Sequence, residues 1–226
     1  MKTVPSLAYD PGIAPRTVRA ALIWGTGMPG CLKTTSMPGY LAEILERARA
    51  AGVEFIPPQR RVKVRNMLRY GKFKPSGRSR PASEYLLASA LAGAFPLVNG
   101  PVDVNNAVSL ESGYPASIFD LALSGPTLLL RRGVAGEAYI FNPAGQRIDC
   151  EDLLCVCRED AAGWIPCGNP VKDSMETKTC EKTRDVVAVI CAPIDDPVSD
   201  LTAAAARFSS LLLSECNVTQ SGWSLP

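Results

Sequence analysis

The sequence predicts an α+β fold in which antiparallel or mixed β-sheets pack against helices. Stretches typical of strands cluster between helical stretches, whereas a repeating β-α-β chain would alternate them regularly. Of the 226 residues, 46% are hydrophobic, which is enough for a substantial core. No apolar run approaches the ~18 residues of a membrane-spanning helix, and the N-terminus lacks the pattern of a signal peptide. We therefore expect a cytoplasmic protein.

Four helices are expected from apolar residues at helical spacing. The first is amphipathic and ends at Gly52, and the second is entered through a Ser83 cap. The third follows a turn of Asn99, Gly100 and Pro101. In order, the predicted helices are Tyr40–Ala51, Glu84–Phe95, Val102–Glu111 and Asp200–Glu215.

Five strands are expected from alternating or continuous apolar patterns. They are Val18–Trp24, Pro126–Arg132, Ala138–Phe141, Leu153–Arg158 and Val186–Ala192. A hairpin turn is expected at Asn142–Gly145, where Asn, Pro and Gly follow each other closely. The Gly-rich stretch Gly25–Gly30 contains a proline where a cofactor-binding helix should begin, so it is interpreted as a loop.

The chain has eight cysteines and no histidine. Without histidine, Ser-His-Asp and Cys-His catalysis are excluded, and no side chain has an unperturbed pKa near neutrality. Cys155 and Cys157 fall on one face of a predicted strand, so buried, reduced thiols are the expected state. The cysteine spacings do not match a zinc site, and we expect neither a bound metal nor an organic cofactor.

The charge is distributed unevenly. Residues 55–83 contain nine basic and no acidic side chains, and the rest of the chain carries a net charge of −7. Such a segment predicts contact with a polyanion, and the interleaved Tyr70 and Phe73 add surfaces for base stacking. The candidate contact residues are Arg60, Arg61, Lys63, Arg65, Arg69, Lys72, Lys74, Arg78 and Arg80.

Asn105 and Asn106 lie in the middle of the third predicted helix. Asparagine is a mediocre residue for a helix interior, because its amide competes for backbone hydrogen bonds. Two in succession break a local preference, and such breaks concentrate at functional or strained positions. The alternative is that both amides simply face solvent. The surrounding stretch, Val102–Asp120, favours a functional role.

That stretch resembles the tRNA-editing domain of the phenylalanyl-tRNA synthetase beta subunit. The matching residues, at fixed spacing, are Val102, Asp103, Asn106, Leu110, Glu111, Pro115, Phe119 and Asp120. The resemblance extends more weakly from Arg65 to about Pro193, with Leu130–Arg132 and Asp149–Val156 fitting two of the family's strands. It implies an editing-type domain over residues 55–226, with residues 1–54 as an N-terminal extension integrated in a single compact unit.

The resemblance also implies a pocket, with changes at several positions. Asn105 replaces a family hydroxyl and Ser117 replaces a family histidine, while Gly168 and Asn169 fall on a glycine-rich wall. The family's specificity glutamate falls near Val189, which argues against specificity for tyrosine. The run Asp173–Thr179 resembles one found in freestanding relatives. The residues assigned to the pocket are Asn106, Ser117 and Asp173 as catalytic, and Asn105, Pro115, Gly168, Asn169, Thr177 and Thr179 as substrate-binding.

The expected function is hydrolysis of misacylated tRNA in trans, with the acceptor end as partner and without DNA or membrane. An oriented water, oxyanion donors and the terminal ribose hydroxyl of the tRNA would replace the absent histidine. Two alternatives are a non-catalytic RNA-binding or adaptor module, and a binder of a free amino acid or related small molecule. A polar pocket that lies beside basic side chains would favour the hydrolysis of misacylated tRNA over both alternatives.

Overall fold

Two four-stranded sheets, a hairpin and six α-helices make up the described part of the chain in this computed structural model, which covers residues 4–13, 17–161 and 163–226. The helices are Gly39–Ala51 (α1), Pro58–Leu68 (α2), Ala82–Leu91 (α3), Gly100–Ser112 (α4), Leu121–Ser124 (α5) and Val198–Cys216 (α6). The strands are Ser6–Tyr9 (β1), Val18–Thr26 (β2), Ala116–Asp120 (β3), Thr127–Arg132 (β4), Ala138–Ile140 (β5), Arg147–Asp149 (β6), Leu154–Asp160 (β7), Gly163–Gly168 (β8), Val186–Pro193 (β9) and Gln220–Ser224 (β10).

The sheets confirm the predicted α+β class. One sheet has the order β1-β4-β7-β8 and is mixed, because β1 runs parallel to β4 while the other pairs are antiparallel. The other sheet has the order β10-β2-β9-β3 and is antiparallel throughout. The predicted turn joins β5 to β6, and Gly145 within it has a φ of 74°.

Strand β9 fixes the position of β3, which later forms part of the candidate site. Every residue of β9 is buried, as its continuous apolar sequence predicts, and it pairs with β2 on one side and β3 on the other. Helix α6 contributes Leu201, Phe208 and Leu212 to the same core. A central strand buried on both faces leaves its neighbour β3 little freedom to move.

Helix α4 lies between two hydrophobic clusters. Val104 and Val108 join the main core with the sheets, whereas Ala107 and Leu110 join a second cluster formed with α1 and α3. The prediction of a helix with these four residues buried is confirmed. The helix begins two residues earlier than expected, where the Asn99 side chain accepts a hydrogen bond from the Val102 N–H.

The prediction for the second helix is wrong at both ends. The helix α3 starts at Ala82 after Pro81, and Ser83 is a buried residue inside it with no capping hydrogen bond. Proline fixes φ near its helical value, so Pro81 sets the entry without a side-chain cap. The helix stops at Leu91 because Gly93 has a φ of 71° soon afterwards.

The cysteines are free thiols, of which seven are buried and Cys180 is exposed. Cys155 and Cys157 pack in one cluster with Cys150, Leu153 and Tyr139, which confirms that the two strand cysteines share a face. Among the described residues, no group of three or more Cys, Asp or Glu side chains is arranged to hold a metal ion.

The N-terminal segment takes part in both sheets through β1 and β2. Residues 1–3 and 14–16 of the predicted extension lie outside the described residues. The division of the chain at residue 54 stays a prediction. Across the described ranges, no helix has the length and apolar character needed to cross a membrane.

Candidate functional site

A polar cavity of about 290 Å³ opens between α4, β3 and the segment that follows β8. Helix α4 contributes Asn105 and Asn106 from its middle, and β3 contributes the alternate residues Ala116 and Ile118. The remaining polar side chains that line it are Asn169, Lys172, Asp173, Lys178 and Thr179. We call this space the polar cavity.

Asn105 is almost completely buried, with 5% of its surface exposed. Its Nδ2 donates to the Ala116 carbonyl oxygen at 3.3 Å and to Asn106 Oδ1 at 3.4 Å. Its Oδ1 has no hydrogen-bond partner among the described residues. A buried acceptor without a partner costs on the order of 1–3 kcal/mol, so this oxygen indicates a place where a ligand supplies the donor.

Asp173 presents a second acceptor of the same kind. Its Oδ2 accepts the Ile118 N–H at 3.4 Å, whereas its Oδ1 has no partner within the described chain. Burial raises the pKa of the Asp173 carboxyl to about 7, against the lowering effects of hydrogen bonds from Ser117 and Ile118. In a chain without histidine, Asp173 is therefore a group that changes charge near neutral pH.

Lys178 brings a positive charge into the polar cavity. Its Nζ donates to the Phe141 carbonyl oxygen at 2.6 Å. Burial lowers the pKa of this ammonium, and nearby Lys172 lowers it further, while Asp173 raises it. Lys178 lies inside the run Asp173–Thr179, but no feature of its own in the sequence indicates a role in the pocket.

Asn169 shapes the wall of the polar cavity instead of presenting free polar atoms to it. Its Oδ1 accepts the N–H groups of Val171 and Lys172 at 2.9 and 3.0 Å, and its Nδ2 donates to the Tyr139 hydroxyl. Tyr139 in turn donates to the Lys172 carbonyl oxygen at 2.6 Å. These bonds hold the turn that carries Val171, Lys172 and Asp173.

The other predicted pocket residues lie behind the cavity surface. Ser117 is buried on β3, with its hydroxyl 3.4 Å from the Asn169 carbonyl oxygen. Thr177 donates to the Cys167 carbonyl oxygen, and the Pro115 carbonyl oxygen accepts the N–H of Cys191 on β9. Thr179 is an exception, because it lines the cavity as Asn105 and Asn169 do, and its hydroxyl lies 3.1 Å from Asn99 Nδ2.

Gly168 allows the chain to pass close to Asp173. A Cβ atom at this position would lie 2.5 Å from the Phe119 ring and 2.6 Å from Asp173 Oδ1. Both distances are far shorter than van der Waals contact, so any side chain here would displace the carboxylate. Gly168 therefore lies behind the cavity surface, and its predicted role in substrate binding stays a prediction.

The raised pKa of Asp173 predicts a pH-dependent cost to folding. Between its ordinary value of 3.8 and about 7, the native carboxyl binds more protons than the unfolded one. The free energy of unfolding should therefore fall as pH rises through this range, by up to about 4 kcal/mol. Asp173→Asn should remove that fall in urea unfolding measured at pH 4.5 and 7.5. The exposed Asp195→Asn is the control, and identical slopes for wild type and Asp173→Asn would contradict the assignment.

The basic segment is partly neutralised by acidic residues from distant parts of the chain. Arg60 pairs with Asp196 and Asp200 at 2.8 and 2.6 Å, and Lys63 pairs with Asp196 at 2.8 Å. Further ion pairs join Arg65 to Glu84 and Lys72 to Asp149 and Glu151. Among the described residues, no ion pair is made by Arg61, Arg69, Lys74, Arg78 or Arg80.

Arg78 and Arg80 differ from the other basic residues in their position. Both line a second cavity that adjoins the polar cavity and shares Asn106 and Lys172 with it. Arg61 lies elsewhere, in a shallow depression on α2. The structure therefore brings two of the nine predicted contact residues next to the polar cavity.

Comparison with known proteins shows the family of the chain and a likeness to solved structures, one of which is described here. Residues 72–207 match the family model of the B3/4 domain. The chain is also similar to an N-terminal fragment of the phenylalanyl-tRNA synthetase beta subunit from Pyrococcus horikoshii, with 9% identity and a TM-score of 0.48. That match covers 97% of this chain and 52% of the fragment, so the chain spans about half of its length. None of the curated proteins matches the chain.

Proposed function

Because the chain belongs to the B3/4 domain family, the editing-type domain of the phenylalanyl-tRNA synthetase beta subunit, we propose that it is an aminoacyl-tRNA deacylase. It would act in trans and hydrolyse the ester bond of a misacylated tRNA. The observation that carries the proposal is the pair of unpartnered oxygens, Asn105 Oδ1 and Asp173 Oδ1, on side chains of one small cavity.

Two acceptors in a small space call for a ligand with several N–H donors. The α-ammonium of an aminoacyl group offers three donors and a positive charge. In the proposed complex Asn105 and the Asp173 carboxylate bind that ammonium. An ionised carboxylate paired with a bound cation no longer bears the full cost of its burial.

The ester carbonyl would then lie towards Asn106 and Lys178. Asn106 Oδ1 is engaged by Asn105, and no hydrogen bond of Asn106 Nδ2 is found among the described residues. This N–H group, together with the Lys178 ammonium, would stabilise the oxyanion that develops on the carbonyl oxygen.

The reaction needs no group beyond the substrate, a water and these side chains. Water attacks the ester carbon, a new C–O bond forms, and the bond to the terminal ribose oxygen breaks. The proton lost by the water passes to the leaving ribose oxygen, with the neighbouring ribose hydroxyl as relay. Esters are better suited to this route than amides, because an alkoxide is a far better leaving group than the amide anion that an amide would have to release.

Single-turnover hydrolysis of a panel of misacylated tRNAs tests the proposal directly. We expect at least one non-cognate aminoacyl-tRNA to be hydrolysed far faster than in buffer alone. If none is hydrolysed and tRNA still binds, the chain is an adaptor instead. If free amino acids bind and tRNA does not, it is a small-molecule binder, for which Lys178 would contact the carboxylate.

The salt dependence of tRNA binding should be moderate. If all the basic residues of the segment contacted RNA, affinity would fall very steeply with salt, but four of them are engaged in ion pairs. With Arg78, Arg80 and Lys172 as phosphate contacts, raising salt from 50 to 200 mM should weaken binding about 20-fold. Fluorescence anisotropy of labelled tRNA measures this, and affinity that is independent of salt would contradict the contact model.

A further inference from the structure

The second cavity, which we call the basic cavity, has a volume of about 710 Å³. Three cationic side chains, Arg78, Arg80 and Lys172, line it, and no acidic residue of the described chain does. An apolar surface formed by Leu86, Pro96 and Val98 lies in the same cavity.

Arg78 and Lys172 lie close to each other, and no acidic side chain of the described residues lines the basic cavity beside them. Partial burial and, to a smaller extent, the positive charge of Arg78 lower the pKa of the Lys172 ammonium. Lys172 in turn adds to the effect of burial in lowering the pKa of Lys178. Arg78, Lys172 and Lys178 thus form a series of cations that leads from the basic cavity into the polar cavity. Mutual repulsion of this kind is relieved by an anion.

Tyr85 adds a flat surface to the same cavity. Its side chain is 57% exposed, although it is large and hydrophobic, and the Arg80 guanidinium lies 5.7 Å from its ring centre. An exposed aromatic ring beside an arginine is a surface on which a nucleobase stacks. Phosphate-binding cations next to a stacking surface distinguish a nucleotide from a simple anion.

From these features we propose that the basic cavity binds the terminal nucleotide of a single-stranded RNA end. Its phosphate contacts Arg78, Arg80 and Lys172, and its base packs on Tyr85 and the apolar wall. The assignment rests on the proposed function in one respect: the ribose of that nucleotide would reach the polar cavity past Asn106, which lines both spaces. Nucleotide binding itself does not depend on hydrolysis.

The test uses the whole chain and nucleoside 5′-monophosphates, with binding followed by calorimetry and no aminoacyl group present. We expect monophosphates to bind at least tenfold more tightly than the corresponding nucleosides. The double variant Arg78→Ala, Arg80→Ala should abolish that preference, and Tyr85→Leu should weaken binding roughly tenfold.

Matched controls come from the same segment. The double variant Arg61→Ala, Arg69→Ala removes two positive charges, as the cavity variant does, but outside the cavity. Tyr70→Leu is the control for Tyr85→Leu, because Tyr70 is also exposed and has an arginine over its ring. These variants should bind monophosphates as the wild type does. Equal affinity for nucleosides and monophosphates, or equal effects of control and cavity variants, would overturn the assignment.

The two proposals fail separately. If the chain binds nucleotides through Arg78, Arg80 and Tyr85 and yet hydrolyses no aminoacyl-tRNA, that result would support the nucleotide site and refute the proposal of a deacylase. Hydrolysis that is unaffected by the cavity variants would retain the deacylase and refute this site.

Discussion

Asp173→Asn should lower kcat/KM for aminoacyl-tRNA hydrolysis by about 10³-fold. The substitution keeps the size of the side chain and removes the charge that, in the proposed complex, pairs with the substrate ammonium. Removing one partner of a buried, hydrogen-bonded charge pair costs on the order of 2–5 kcal/mol, and each ~1.4 kcal/mol is a tenfold change in rate. Single-turnover kinetics over a range of enzyme concentrations give the value.

The pH profile provides a second readout of the same substitution. Asp173 in the free protein has a pKa of about 7 and must be ionised to bind the ammonium. After correction for the uncatalysed reaction, kcat/KM of the wild type should fall about tenfold per pH unit below that value. The asparagine variant should lose this slope.

A change in the substrate separates ammonium binding from a general disturbance of the site. A tRNA that carries a 2-hydroxyacyl group has no ammonium, so Asp173→Asn should scarcely change its hydrolysis. The exposed Asp195→Asn should leave both substrates unaffected. If Asp173→Asn slows the two substrates equally, the carboxylate orients the water or the site, and its assignment to the ammonium is wrong.

Asn106→Ala should lower the single-turnover rate by about 10²-fold, because it removes a donor to the developing oxyanion. Affinity for the tRNA should be nearly unchanged, since that contact strengthens only in the transition state. Ser117→Ala should have a smaller effect, because Ser117 lies behind the cavity surface and supports the turn through Asn169.

The control for Asn106→Ala is Gln59→Ala, which removes an exposed amide from helix α2. It should alter neither the rate nor the affinity. A loss of tRNA affinity as large as the loss of rate would mean that Asn106 binds the substrate equally in the ground state, and it would contradict the role as oxyanion donor.

Elements with strong local signals were predictable from the sequence. The turn at Asn99–Pro101 and the pattern of buried residues identified α4, and continuous apolar sequence identified β9. Other elements have weak sequence patterns and were not predicted. Strand β8 contains Pro166, and β10 contains Gly222 and no alternation of apolar residues. Helix α2 begins at the second of two successive prolines, and four of its eleven residues are basic, so its helical period is obscured.

The candidate site was predictable where local sequence governs it. Of the residues that the sequence assigns to the pocket, Asn105, Asn106, Asn169, Asp173 and Thr179 line the polar cavity. Ser117 does not, because alternation along β3 turns Ala116 and Ile118 to that side. The basic segment could not be interpreted correctly from its own composition. Its ion-pair partners lie as many as 140 residues away, and only the fold shows them.

The position of α4 between two cores has a consequence for the adaptability of this protein. A helix packed on both sides cannot rotate or slide by part of a turn without opening voids in two clusters at once. Asn105 and Asn106 are therefore nearly fixed in space. Accommodation of a different amino acid would then come from the segment 169–179, where exchanging one exposed or half-buried side chain disturbs neither core. Evolution of new specificity, or its engineering, is most readily achieved there.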